Sequence, residues 1–148
     1  MVCLGNICRS PMAHGILLDE IEKRKLSWEV DSSGTSAFHS GEAPDRRAIE
    51  TARSHGIDIS DQKSRQLTTQ DLSIYDLIIT MDTNNYNNAL KLTQNKKEKS
   101  KVKMLLNYSF PNENRAVPDP YYSGGFDYVY DMIKQAIVDM VESIIQDR

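Results

Sequence analysis

The feature of the sequence that most constrains the fold is the alternation of short apolar segments with segments of helical periodicity. Four segments have the composition of strands, at residues 1–2, 28–32, 75–81 and 102–106. The third of them, YDLIITM, is typical of a strand that is fully buried. Parallel neighbours need crossover connections, and the helical segments lie between these strands. The sequence therefore predicts a mainly parallel sheet that is covered by helices on both faces.

The helical segments carry recognisable start signals. Ser10 can cap a first helix, and Pro11 suits its first position. A second helix is expected from about Asp45, and a third at residues 85–92. Apolar residues at spacings of three and four then predict a long amphipathic helix over residues 129–144, which we interpret as core packing.

Composition limits the function classes that need to be considered. A chain of 148 residues that is 39% hydrophobic and 26% charged is expected to form a single domain over residues 1–148. The net charge of −3 argues against a nucleic-acid partner, and the basic run at residues 95–101 is interpreted as a solvated loop. No apolar run approaches the length of about 20 residues that spans a bilayer, and no secretory segment opens the chain. We expect a cytoplasmic protein without a membrane partner; no oligomeric state is predicted.

The segment CLGNICRSP, at residues 3–11, carries the chemistry. It lies between a predicted strand end and a helix N-terminus, where free N–H groups and the helix dipole favour an anion. Gly5 and Asn6 tolerate positive φ, so that consecutive amides can turn inward and form a nest. The planar guanidinium of Arg9 could bind two oxygens of a phosphate held there. This environment would favour the thiolate form of Cys3, which predicts a nucleophile and not a cysteine that only packs.

The sequence resembles the low-molecular-weight protein tyrosine phosphatases. Their phosphate-binding signature matches CLGNICRSP residue for residue, and the resemblance continues through VDSSGTSAFHSGEAPD, SRQL, MDTNN and PDPYY over nearly the whole chain. The resemblance implies a flavodoxin-like four-stranded parallel sheet with helices on both faces. It also implies hydrolysis of phosphotyrosine in a protein or peptide substrate, through a phosphocysteine intermediate and with no metal or other cofactor.

The resemblance assigns roles beyond Cys3 and Arg9. Asp119, on a loop stiffened by two prolines, becomes the general acid that protonates the leaving oxygen. Ser10 could donate to the thiolate, and Asn6 could lock the loop. Asp45, Asp82 and His39 lie in matching segments, but loop and cap roles explain them. The remaining implied residues surround the phosphate, at Leu4, Gly5, Ile7 and Cys8, or line an aromatic cleft, at Phe38, Tyr121 and Tyr122.

Three features depart from the family pattern. Only two residues precede Cys3, so the first strand is expected to be short or clipped. His14 stands where family members commonly carry Glu. Gln62 stands where many carry His, and this change removes a titratable group from the hydrogen bonds that support the loop, although Gln can still donate and accept.

Several features of the sequence argue against other functions. A thiol-dependent arsenate reductase of the same fold needs further cysteines, and none follows Cys8. A phosphoarginine phosphatase tends to carry Thr at the position of Ile7, and Ile7 with Phe38 favours an aryl phosphate. A phosphopeptide-binding module without activity would lack Cys3 or Asp119. The three histidines are too scattered for a zinc site. Cys8 could simply pack, but we favour a redox role in which it captures an oxidised Cys3 as a disulfide.

Overall fold

The computed structural model describes residues 1–147 and contains a four-stranded parallel sheet. The strands are β1 (Val2–Cys3), β2 (Ser33–Gly34), β3 (Ile78–Thr80) and β4 (Val102–Met104), and their order across the sheet is β2-β1-β3-β4. This order is that of the flavodoxin-like doubly wound folds, which confirms the predicted architecture.

Within the described residues, five α-helices lie between the strands, and a 3-10 turn and two more α-helices follow the last strand. The helices are α1 (Arg9–Arg24), α2 (Arg46–Ser54), α3 (Thr69–Ile74), α4 (Thr83–Leu90), α5 (Lys96–Lys101), α6 (Pro120–Ser123) and α7 (Phe126–Gln146), with the 3-10 turn at Leu105–Tyr108. None of the helices in this part of the chain is long and apolar enough to cross a membrane.

Apolar side chains pack on both faces of the sheet. Successive strand residues point to opposite faces, and accordingly Cys3 and Ile79 join one buried cluster while Val2 and Ile78 join another. The larger cluster includes the buried faces of α1 and α7, and the smaller one includes Ala89 of α4. The long amphipathic helix therefore packs in the core, as predicted.

The position of the second strand differs from the prediction. The sequence pattern placed it at residues 28–32, whereas the strand pairing begins at Ser33. Val2 lies opposite Ser33, and Cys3 opposite Gly34, so the short β1 decides which residues of the extended segment enter the sheet. An apolar pattern identifies an extended segment, but the partner strand sets the register.

Two local interpretations are also wrong. Residues 95–101 are not a loop, because Lys96–Lys101 form α5: Asn95 caps it by accepting from the amide of Glu98 at 2.8 Å, and Glu98 is itself buried. Ser10 is not the cap of α1, which begins at Arg9 with Cys8 at the N-cap position and no side-chain cap. The hydroxyl of Ser10 lies beside the sulfur of Cys3 instead.

The sheet order places the reactive loop where ligands bind in such folds. The strand order changes direction between β1 and β3, and ligands in open parallel sheets bind beyond the carboxyl ends of the strands at this switch point. The loop after β1 occupies that place, and Asp82 follows β3 nearby.

Candidate active site

The loop after β1 wraps around the sulfur of Cys3. Asn6 has a φ of 57°, in the left-handed region, and its amide donates to Cys3 Sγ at 3.3 Å. The hydroxyl of Ser10 lies 3.1 Å from the same sulfur, and Cys3 is only 3% exposed. A backbone N–H donor and a hydroxyl thus face the sulfur at the N-terminal end of α1, where the helix dipole and the free N–H groups favour an anion.

The side chain of Asn6 holds this loop in place. Its amide nitrogen donates to Ser10 Oγ at 2.7 Å and to Ser32 Oγ at 3.1 Å, and its oxygen accepts from the backbone N–H of Arg65 at 3.1 Å. A second tie comes from the hydroxyl of Ser64, which donates to the carbonyl oxygen of Gly5 at 2.9 Å. Asn6 therefore links the loop with α1, with the residue that precedes β2 and with the segment before α3.

His14 and Gln62, the two residues that differ from the family pattern, lie at the edge of this network of hydrogen bonds. His14 Nδ1 is 3.2 Å from Ser32 Oγ, and burial together with the nearby N-terminal amine lowers the pKa of His14. Gln62 donates from Nε2 to the carbonyl oxygen of Pro11 at 3.1 Å. Gln62 therefore still connects its own segment to α1 where many family members carry His, but its amide does not titrate.

Arg9 is buried and held by two carboxylates. Its guanidinium lies 2.7 Å from Asp82 Oδ2 and 3.5 Å from Asp119 Oδ2, and it donates to the carbonyl oxygen of Val117 at 3.0 Å. Burial by itself would lower the pKa of Arg9, but the charges of Cys3, Asp82 and Asp119 raise it. Arg9 is thus a fixed cation next to the sulfur.

Asp82 is a site residue that sequence reasoning missed. It caps α4, where Asn85 N donates to Asp82 Oδ1 at 2.8 Å, so the predicted cap role is correct but incomplete. Its other oxygen orients Arg9. The signal was available in its position, because an aspartate directly after a buried strand at the switch point can reach the loop of the neighbouring strand.

Asp119 comes to the same cluster from a distant part of the chain. It is the N-cap residue of α6, and its Oδ1 accepts from Tyr121 N at 3.1 Å. Its Oδ2 is the atom that lies 3.5 Å from Arg9, and Val117 on the same segment accepts from Arg9. The structure thus brings Asp119 and the loop of Cys3 together across more than a hundred residues.

Aromatic rings form an exposed rim at this edge. Phe38 is 85% exposed and packs edge-on against His39 at a centroid distance of 4.8 Å, and His39 lies 6.3 Å from the ring of Tyr121. Tyr122 contacts Tyr121 edge-on at 5.0 Å. A Cβ atom added to Gly5 would lie 3.0 Å from Cδ2 of His39, so His39 packs directly on the loop. After Asp82, His39 is the second residue of the site that the sequence analysis missed, since it assigned His39 only a loop role.

The remaining loop residues differ in exposure. Leu4 is 39% exposed and Ile7 is half-buried, so both can contact a ligand. Cys8 is buried, its thiol is free, and burial raises the pKa of Cys8 well above its usual range.

Comparisons with known proteins identify the family of this chain. The family model described as low molecular weight phosphotyrosine protein phosphatase matches residues 1–148. A putative low molecular weight protein-tyrosine-phosphatase of Synechocystis, slr0328, is 40% identical over 97% of this chain and 93% of its own length. The crystal structure of YfkJ from Bacillus subtilis matches with a TM-score of 0.93 at 38% identity, over 99% of this chain and 93% of the other. A Drosophila arginine phosphatase matches with a TM-score of 0.85 at 31% identity, over 97% and 94%. The chain belongs to the low molecular weight phosphotyrosine protein phosphatase family.

Proposed function

We propose that this protein hydrolyses phosphotyrosine in protein or peptide substrates by transferring the phosphoryl group to Cys3 and then to water. The observation that carries the proposal is the convergence of Cys3, Arg9 and Asp119, with Arg9 3.5 Å from Asp119 at the mouth of the loop. Family membership supports a phosphoprotein as the substrate.

In the first step, Cys3 Sγ attacks phosphorus in line. The S–P bond forms as the P–O bond to the leaving phenol breaks, and protonated Asp119 gives its proton to the leaving oxygen. Arg9 and the inward-facing amides of the loop bind the equatorial oxygens, where charge is concentrated in the transition state. Arg9 needs no large movement for this, since Asp82 and Val117 already orient it.

In the second step, water replaces the thiolate. Asp119, now a carboxylate, takes a proton from the attacking water, the S–P bond breaks, and inorganic phosphate leaves. The hydrogen bond from Ser10 stabilises the departing sulfur, which returns to its starting state. Each covalent step is easier than direct hydrolysis, and both use the same residues.

The aromatic rim supports an aryl substrate. Phe38 and Tyr122 are largely exposed and stand beside the site, so they can enclose the ring of a phosphotyrosine. A phosphoserine side chain is shorter and offers no ring to bury. Phosphoarginine is the second candidate, because an arginine phosphatase shares this fold. Ile7 places an apolar side chain on the loop and favours the aryl ester.

A substrate panel tests the proposal. Phosphotyrosine, phosphoserine and phosphoarginine forms of one peptide sequence are compared with wild-type protein and with Cys3→Ser. We expect the highest kcat/KM for phosphotyrosine and no turnover by Cys3→Ser, whose hydroxyl is not ionised near neutral pH. A preference for phosphoarginine would replace the proposed substrate with the second candidate. Turnover by Cys3→Ser would contradict the mechanism.

A further inference from the structure

The segment that carries Asp119 is anchored at Val117, which accepts from Arg9 and donates to the carbonyl oxygen of Met81, but it is only weakly held on its C-terminal side. Asp119 caps α6, a single turn, and the next residues are Gly124 and Gly125, both at positive φ. Two glycines in succession restrain the backbone very little. The position of Asp119 relative to Cys3 therefore depends on contacts between α6 and the rest of the molecule.

Arg47, in the first turn of α2, makes such contacts. Its Nη2 donates to the carbonyl oxygen of Tyr121 at 3.2 Å. Its guanidinium carbon lies 5.5 Å from the ring centre of Tyr121 and 4.7 Å from that of Phe126, the first residue of α7. The same side chain thus contacts the turn that Asp119 caps and the helix that follows the two glycines.

Arg47 is itself fixed to the phosphate loop through Asp45. Its Nε and Nη2 donate to the two carboxylate oxygens of Asp45 at 3.1 and 3.0 Å, and its own amide donates to Oδ1 at 2.8 Å. The backbone N–H of Asp45 in turn donates to the carbonyl oxygen of Ile7 at 2.8 Å. A continuous series of hydrogen bonds therefore runs from the loop of Cys3 to α6.

The charges in this series do not change over the pH range of an enzyme assay. The hydrogen bond with Arg47 lowers the pKa of Asp45, and the same bond raises the pKa of Arg47. The ion pair is therefore present throughout, and any effect of Arg47 on activity is expected at every pH at which Asp119 is competent.

We propose that Arg47 is a positioning residue, which holds α6 against the phosphate loop and so places Asp119 where it can protonate the leaving group. This inference rests on the proposed role of Asp119 and extends it. Arg47 makes no hydrogen bond to Cys3 or Arg9 within the described residues, and its contacts with Tyr121 and Phe126 flank the turn that Asp119 caps.

The test exploits the dependence of acid catalysis on the leaving group. Phosphotyrosine peptide and 2,4-dinitrophenyl phosphate are compared as substrates, because the acidic dinitrophenol hardly needs a proton to leave. The variant is Arg47→Met, which keeps an unbranched apolar stem. Arg46→Met is the matched control: Arg46 is the neighbouring residue, its side chain is 89% exposed, and among residues 1–147 it pairs only with Glu50 on its own helix.

We expect kcat/KM of Arg47→Met for phosphotyrosine to fall by about 10- to 100-fold, since displacing a catalytic group by about 1 Å has this size of effect. The fall for the dinitrophenyl ester should be less than about threefold, because a positioned acid contributes little there. Arg47→Lys keeps the charge but not the planar fork, and should lie between wild type and Arg47→Met. Arg46→Met should match wild type on both substrates.

Two results would overturn the inference. One is a loss by Arg47→Met that is equal for the two substrates, and the other is a variant that behaves like Arg46→Met. Asp119→Ala is measured in parallel to separate this inference from the proposed function. If Asp119→Ala shows no dependence on the leaving group, the role of Asp119 itself is wrong. If it shows the dependence and Arg47→Met does not, only the role of Arg47 is wrong.

Discussion

Asn6 is the residue on which the shape of the phosphate loop most depends, and its replacement makes a quantitative prediction. The side chain is 1% exposed and takes part in three hydrogen bonds, with Ser10, Ser32 and the backbone of Arg65. The backbone has a φ of 57°, which Asn adopts more readily than Ala. Asn6→Ala therefore removes the bonds and adds conformational strain, whereas Asn6→Gly removes the bonds alone.

The expected size follows from these contacts. A buried hydrogen bond contributes about 0.5–1.5 kcal/mol, so the loss of three costs about 1.5–4.5 kcal/mol of unfolding free energy. The left-handed backbone conformation lowers the unfolding free energy of the Ala variant by about a further 1–2 kcal/mol. Glycine avoids that strain but gains entropy in the unfolded chain, so Asn6→Gly should be more stable than Asn6→Ala by about 1 kcal/mol.

Urea denaturation measures the stability, and titration with inorganic phosphate measures the binding of an anion to the loop. Both variants should be less stable than wild type and should bind phosphate more weakly, because the amides no longer converge. Asn112→Gly is the matched control: Asn112 also has positive φ, at 65°, but is exposed on a distant loop. Its stability should stay within about 0.5 kcal/mol of wild type.

A stability of Asn6→Gly equal to that of wild type would contradict this prediction, because the three bonds would then contribute nothing. Loss of stability in both variants with unchanged affinity for phosphate would also contradict it, since the side chain would then support the fold without shaping the loop.

Three further predictions follow from other parts of the molecule. Phe38→Ala should lower kcat/KM for phosphotyrosine more than for phosphoserine, because only the aryl substrate buries a ring against it; equal changes would remove Phe38 from the cleft. After peroxide and then dithiothreitol, wild-type activity should recover while that of Cys8→Ser should not, and equal recovery would leave Cys8 as a packing residue. Burial raises the pKa of Tyr130 to about 12, so the contribution of its neutral form to stability is complete below pH about 10 and is lost as pH rises towards 12. The unfolding free energy of Tyr130→Phe should therefore fall less than that of wild type between these pH values, and parallel curves would contradict the assignment.

The sequence predicted the parts of the site that depend on local chemistry. The order of Cys3, Gly5, Asn6 and Arg9 before a helix start was enough to predict an anion-binding loop, and the structure places these residues between β1 and α1, at the carboxyl edge of a parallel sheet. The position of Asp119 near this loop could not come from local pattern, because more than a hundred residues separate the two. Only the resemblance to a family predicted it.

Other features required the three-dimensional arrangement. The exact position of β2 depends on the register with β1, which apolar pattern does not encode. From the sequence, the hydroxyl of Ser10 could contact either the first amides of α1 or the sulfur of Cys3. In the structure it contacts the sulfur and does not cap the helix. From the sequence, a role as the cap of α4 was enough to explain Asp82. Its second carboxylate oxygen binds Arg9, and this contact could be found only in the three-dimensional structure.

The central claim is that the phosphoryl group passes through the sulfur of Cys3, and trapping the intermediate tests it most directly. Wild-type protein is mixed with a phosphotyrosine peptide, quenched in acid within the first turnover, digested, and analysed by mass spectrometry. We expect one phosphoryl group on the peptide that contains Cys3, and its disappearance at later times as inorganic phosphate is released. A phosphoryl group on any other residue, or tyrosine release during the first turnover with Cys3 unmodified, would contradict the mechanism.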